Sequence, residues 1–165
     1  MDSFSAKILK ELLPAEKEVV PPPRPAGPRN PVDHWTSALL LERAAYLGKL
    51  AKHGNGSASE TLKEFPQHCA MLSYRSRDGE AEVHQNFADI FYVLEGCATL
   101  VAGGTVAGAK SVAPGEMRGS SVEGGTRQQL RAGDVAHVPA GVPHQMLVSG
   151  EKPFACLVVK VQEEP

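Results

Sequence analysis

The spacing of apolar residues changes near residue 66. Between Trp35 and His53, the residues Trp35, Leu39, Leu40, Ala44, Leu47 and Leu50 recur at helical spacing, which predicts an amphipathic helix. Asp33 suits its N-cap, and Gly54-Asn55-Gly56 stops it. Further upstream, Phe4, Ile8, Leu9, Leu12 and Leu13 form a rough stripe over 4–13 that predicts a short helix. Most of a Pro-rich run lies in Val19 to Pro31, and it reads as an extended connector or an arm reaching along the fold or to a second subunit. Ser57 to Glu64 is polar and reads as a connection or short turn.

Beyond that point the period becomes two. Ala70, Leu72 and Tyr74 alternate with Met71 and Ser73, and Arg77-Asp78-Gly79 is a turn. Ile90 to Leu94 is β-branched, aromatic and apolar, a buried strand that Gly96 ends. Ala98 to Ala102 continues the sheet, and residues 105–125, rich in Gly, Ser and Pro, read as a long excursion. Thr126 to Leu130 and Val135 to Val138 are strands, and Pro139-Ala140-Gly141 breaks the second. His144, Met146 and Val148 then share one strand face, and Gly150-Glu151-Lys152 is a turn. Phe154 to Val161 is apolar on both faces through Leu157-Val158-Val159, which places it mid-fold or against a partner. Many short strands with Gly and Pro turns make the fold all-β, divided as an arm over 1–31, a helix and connection over 32–65, and a β domain over 66–165.

Composition narrows the function classes. A formal charge of −2 without a basic stripe argues against nucleic acid and anionic membrane as partners. No apolar run is long enough to cross a bilayer. The first residues lack a basic start and a long apolar stretch, so a cytoplasmic location is expected. Cys69, Cys97 and Cys156 show no Cys-x-x-Cys pairing and read as small buried hydrophobes, with a Cys97–Cys156 contact across neighbouring strands as the alternative. The doubly apolar last strand and the Pro-rich arm both call for a covering surface, so a homodimer is expected.

The candidate chemistry sits in two stretches. Glu82 and His84 are two apart and share a strand face. Asp89 is an odd step beyond His84, and a turn or bulge at Gln85-Asn86 restores it to that face. His144 emerges from a rigid Pro-Gly turn into a strand. Two His with two carboxylates, each beside a strand–turn junction, favour a ligand set over four unrelated polar residues. His137 lies nearby, at a pocket rim or behind a ligand; alternation alone does not assign its face.

These stretches resemble the cupin superfamily. Gly133, Pro139, Gly141 and His144 match its second motif, Gly, five residues, Pro-x-Gly, two residues, His, at every spacing. Asp-Ile-Phe-Tyr-Val-Leu-Glu-Gly at 89–96 is similar to the acid and following strand of the first motif. In the preferred register His84 falls on the second His of that motif, Glu82 on the first, and Asp89 replaces the usual Glu. The other register pairs His84 with Asn86 and leaves the acid too close.

The resemblance covers residues 66–161 and implies a double-sheet jelly roll, the cupin double-stranded β-helix, with an N-terminal helical extension. It implies a divalent metal (Fe, Mn, Zn, Ni or Co) on His84, Asp89 and His144, with Glu82 as a fourth ligand or a catalytic base. Phe91, Val93 and Met146 would line an apolar pocket for a small molecule. The implied activity is that of a metal-dependent enzyme of dioxygenase, isomerase or lyase type. The alternatives are a non-catalytic binding module and a dimeric scaffold.

Overall fold

The computed structural model describes residues 32–148 and 152–163. The expected helix over 4–13, the Pro-rich connector and most of the turn at 150–152 lie outside them.

Helix α1 runs over Ser37–Ala51. Its N-cap is Thr36 rather than Asp33: Thr36 has extended backbone, and its hydroxyl accepts from the Leu39 N–H at 3.2 Å. Asp33 stands three residues too early and pairs instead with Lys63 at 2.9 Å.

The strands in chain order are β1 Ser57–Glu64, β2 His68–Arg75, β3 Ala81–His84, β4 Phe87–Glu95, β5 Cys97–Ala102, β6 Thr105–Ala107 and β7 Lys110–Ala113. There follow β8 Glu116–Gly119, β9 Ser121–Glu123, β10 Thr126–Arg131, β11 Val135–Val138, β12 His144–Val148 and β13 Phe154–Gln162. They form one sheet in the order β1-β2-β13-β4-β11, a second in the order β10-β5-β12-β3-β8-β7, and the small pair β6-β9. All pairings are antiparallel.

Two segments depart from the sequence expectation. Ser57–Glu64 is a strand, not a connection. As an edge strand with one face on the helix it needs few apolar residues: Ala58 and Leu62 pack with α1, and Glu60 pairs with the buried Arg43. Residues 105–125 hold four strands rather than a loop. Each is only three or four residues long, too short to carry a visible period.

The sheets enclose one core. Phe91, Val93, Leu100, Met146, Phe154, Cys156 and Val158 pack between them. The outer face of the five-stranded sheet carries a second cluster, in which Leu40, Ala44 and Leu47 of α1 meet Leu72 and Ala155. Gly48 permits this close approach, since a Cβ there would lie 2.9 Å from the Tyr74 ring.

Strand β13 is third of five, between β2 and β4. Its inward Cys156 and Val158 join the core and its outward Ala155 packs under α1, while Leu157 and Val159 on the outer face are half-buried. Cys97 and Cys156 lie on strands of different sheets, so they are not cross-strand neighbours. Burial pushes the Cys156 thiol up to about 12, consistent with an inert packing role. Among the described residues, no helix is long and apolar enough to cross a membrane.

Candidate metal centre

Strand alternation builds the site. Met71, Ser73 and Arg75 of β2 line a cavity of about 180 Å³, as do Glu82 and His84 of β3 and Asp89 and Phe91 of β4. His144 and Met146 of β12, with Cys156, Val158 and Lys160 of β13, complete most of the wall. The chain turns at Gln85 and Asn86 between β3 and β4, which returns Asp89 to the face of His84. Asn86 is exposed and does not line the cavity.

The polar groups converge. His84 Nε2 lies 3.2 Å from Glu82 Oε2 and 3.4 Å from Asp89 Oδ2. His144 Nε2 lies 3.4 Å from the same Asp89 oxygen. Both rings are fixed from behind. His84 Nδ1–H donates to Glu116 Oε2 at 2.5 Å, and His144 Nδ1–H donates to the Val142 carbonyl at 3.1 Å. Both Nε2 atoms are therefore turned into the cavity. His84 Nε2 is buried and makes no well-aligned hydrogen bond. One donor atom each from Glu82, His84 and His144 lies within 4.8 Å of the others, the span of a shared ion. Asp89 stands beside this set, and its Oδ1 is held by Lys160 Nζ at 2.7 Å.

Electrostatics keep the carboxylates ionised. Burial alone would raise the Glu82 carboxyl, but contact with His84 and the charges of Arg118 and Arg75 outweigh it and bring it down to about 2. Asp89 is likewise held far below the carboxylate range: burial opposes this, and His144, His84 and Lys160 overcome it. Burial would lower His84, yet the Asp89 and Glu82 carboxylates raise it to about 9.

Not every expected pocket residue lines the cavity. Phe91 and Met146 do. Val93 has the same parity but is deeper, fully buried in the core. His137 is exposed, because β11 turns Val138 inward and leaves His137 on the outer face, so it is neither a pocket nor a rim residue. Sequence reading missed Glu116, Arg118, Arg75 and Lys160. Arg118 lies two beyond Glu116, a strand spacing, but on a strand of four residues among glycines. Lys160 continues the inward parity of Cys156 and Val158.

Residues 112–160 match the family model described as the cupin domain. No curated protein matches the sequence. Among solved structures, the protein TT1209 from Thermus thermophilus is similar at 19% identity and TM-score 0.50, covering 67% of this chain and 87% of that one. A Klebsiella pneumoniae protein with a double-stranded β-helix domain is similar at 20% identity and TM-score 0.50, over 66% of this chain and 80% of that one. Salicylate 1,2-dioxygenase from Pseudoaminobacter salicylatoxidans, in a structure with gentisate, is similar at 15% identity and TM-score 0.53, over 73% of this chain but 31% of that one. The double-sheet barrel shares its fold with these structures, and the cupin-domain match covers residues 112–160 of it.

Proposed function

We propose that the barrel interior is a divalent-metal site of a small-molecule metalloenzyme, with Glu82, His84 and His144 as the protein ligands. The observation that carries this is the orientation of the two imidazoles. Each Nδ1–H is spent on a fixed acceptor, which leaves each Nε2 facing the cavity, and the buried His84 Nε2 has no aligned partner. Nitrogen and oxygen donors without thiolate suit Fe, Mn, Co, Ni or Zn. Such an ion would supply Lewis-acid polarisation of a bound oxygen and, for a redox metal, electron transfer.

The chain's own groups take the other roles. Glu82 is a ligand rather than a base, since a carboxyl brought down to about 2 is permanently ionised and a poor proton acceptor near neutrality. Asp89, the usual ligand position of the family, is shared with Lys160. It stands next to both Nε2 atoms and orients what binds there. Met71, Phe91 and Met146 offer apolar wall to the carbon skeleton of a substrate.

The Lys160–Asp89 pair also favours a second reading, a binding module without turnover, because one carboxylate of the set is already neutralised. Metal analysis of the purified protein tests the shared part of both readings. About one divalent ion per chain is expected in the wild type, with loss of binding at micromolar metal in His84→Ala and His144→Ala. Wild-type protein that holds no metal overturns the proposal. Oxygen uptake by the metal-loaded protein with small phenols, diketones and thiols separates an oxygen-dependent enzyme from the module.

A further inference from the structure

Three cations line the same cavity as the candidate ligands: Arg75 on β2, Arg118 on β8 and Lys160 on β13. Against them stand three carboxylates, Glu82, Asp89 and Glu116, each in contact with at least one of these cations or with His84. With both imidazoles neutral, as they are when they ligate a metal, these six charges balance. Ligating imidazoles are neutral, so a divalent ion leaves the closed site with two positive charges in excess. A partly buried excess of charge is costly unless a counter-charge enters with the ligand.

The two arginines are placed to receive that counter-charge. Arg75 Nη2 reaches Glu82 Oε1 only at 3.3 Å, and Arg118 Nη2 stands 3.8 Å from Glu82 Oε2. The remaining close contacts of Arg118 are the Met117 carbonyl at 3.0 Å and Glu116 at 3.4 Å. A guanidinium carries five N–H donors in a planar fork, so most of these donors have no protein acceptor among the described residues. Both side chains are roughly a quarter exposed, open to an entering molecule. Lys160 differs, because its ammonium is bound at 2.7 Å to Asp89. The same cavity also carries apolar wall, from Met71, Phe91 and Met146.

We infer that the substrate is a small organic acid, bound with a carboxylate on the Arg75–Arg118 pair and a second oxygen toward the metal position. This rests on the metal-site reading above and adds the substrate class to it. About 180 Å³ of cavity holds on the order of a dozen water-sized groups, which limits the acid to a few carbons beyond its charged ends.

The test uses malonate and its neutral isostere malonamide, titrated calorimetrically into protein whose metal content has first been measured. Metal-loaded wild type should bind malonate at least tenfold more tightly than malonamide. Arg75→Gln and Arg118→Gln should each weaken malonate about tenfold, with metal stoichiometry and malonamide binding unchanged. Arg75→Lys should recover part of the loss, and Arg127→Gln, on the exposed face of β10, should have no effect. Loaded protein that binds both probes equally overturns the inference while leaving the metal site standing. So does malonate binding that neither pocket arginine alters, since the metal alone would then account for it. Protein that cannot be loaded refutes the metal reading, and this inference falls with it.

Discussion

At the scale of single residues, the site depends on how each imidazole is held. Glu116 orients His84 from behind, so Glu116→Gln should weaken metal binding about 10- to 100-fold without abolishing it, the range for partners behind a ligand. Competition with a metal-sensing dye measures this, and unchanged affinity would remove Glu116 from the site. The pH response of the metal-free protein follows from the same contacts. His84 is raised from 6.5 to about 9, so its contribution to stability is complete below 6.5 and fades as pH rises through 9. Glu82 is lowered from 4.5 to about 2, so its contribution is complete above 4.5 and fades as pH falls through 2; Asp89 acts in the same direction. As far as these groups decide it, the metal-free protein is most stable between pH 4.5 and 6.5. Thermal melts against pH should show His84→Gln losing the alkaline fall seen in wild type. A variant with the wild-type alkaline limb contradicts the coupling. His84 and His144 were readable because each stands in a stretch that resembles a cupin motif, and the turn at Gln85-Asn86 because Asp89 is an odd step beyond His84. Glu116 was not, because its four-residue strand, no shorter than β3, lies outside both stretches.

At the scale of elements, the helix on the outer sheet face is the clearest stability determinant. Leu47 is fully buried against Leu72 and Ala155, so Leu47→Ala should cost about 2–5 kcal/mol. Gly48→Ala would set a methyl 2.9 Å from the Tyr74 ring, an overpacking of about 1–3 kcal/mol. Urea unfolding checks both, and a neutral Gly48→Ala would show that α1 sits further from the sheet. Strand β1 was misread because its inward face, Ser57 and Ser59, is polar and its outward face is satisfied partly by the Arg43–Glu60 ion pair. Strands β6 to β9 were misread because each spans three or four residues between glycine turns. By contrast β2, β4 and β13 carry enough apolar residues to be read directly as strands, and on β4 the inward parity of Asp89, Phe91 and Val93 was assigned as observed.

For the whole molecule, antiparallel strands from two sheets deliver donors distant in sequence to one enclosed point. Glu82 and His144, partners in the β3–β12 register, face the cavity together because that register fixes them. Of the two motivations for the expected homodimer, one, β13, sits mid-sheet between β2 and β4 with Leu157 and Val159 half-buried on its outer face. The other, the Pro-rich arm, lies outside the described residues. Everything proposed for the barrel depends on one divalent ion binding between His84, His144 and Glu82. Anomalous diffraction from crystals grown with Mn(II) or Co(II) would locate such an ion directly. A single strong peak is expected in the barrel, within coordination distance, about 2.0–2.3 Å, of both Nε2 atoms and a Glu82 oxygen. A barrel interior without a peak, at metal concentrations that saturate other cation sites on the protein, would contradict it.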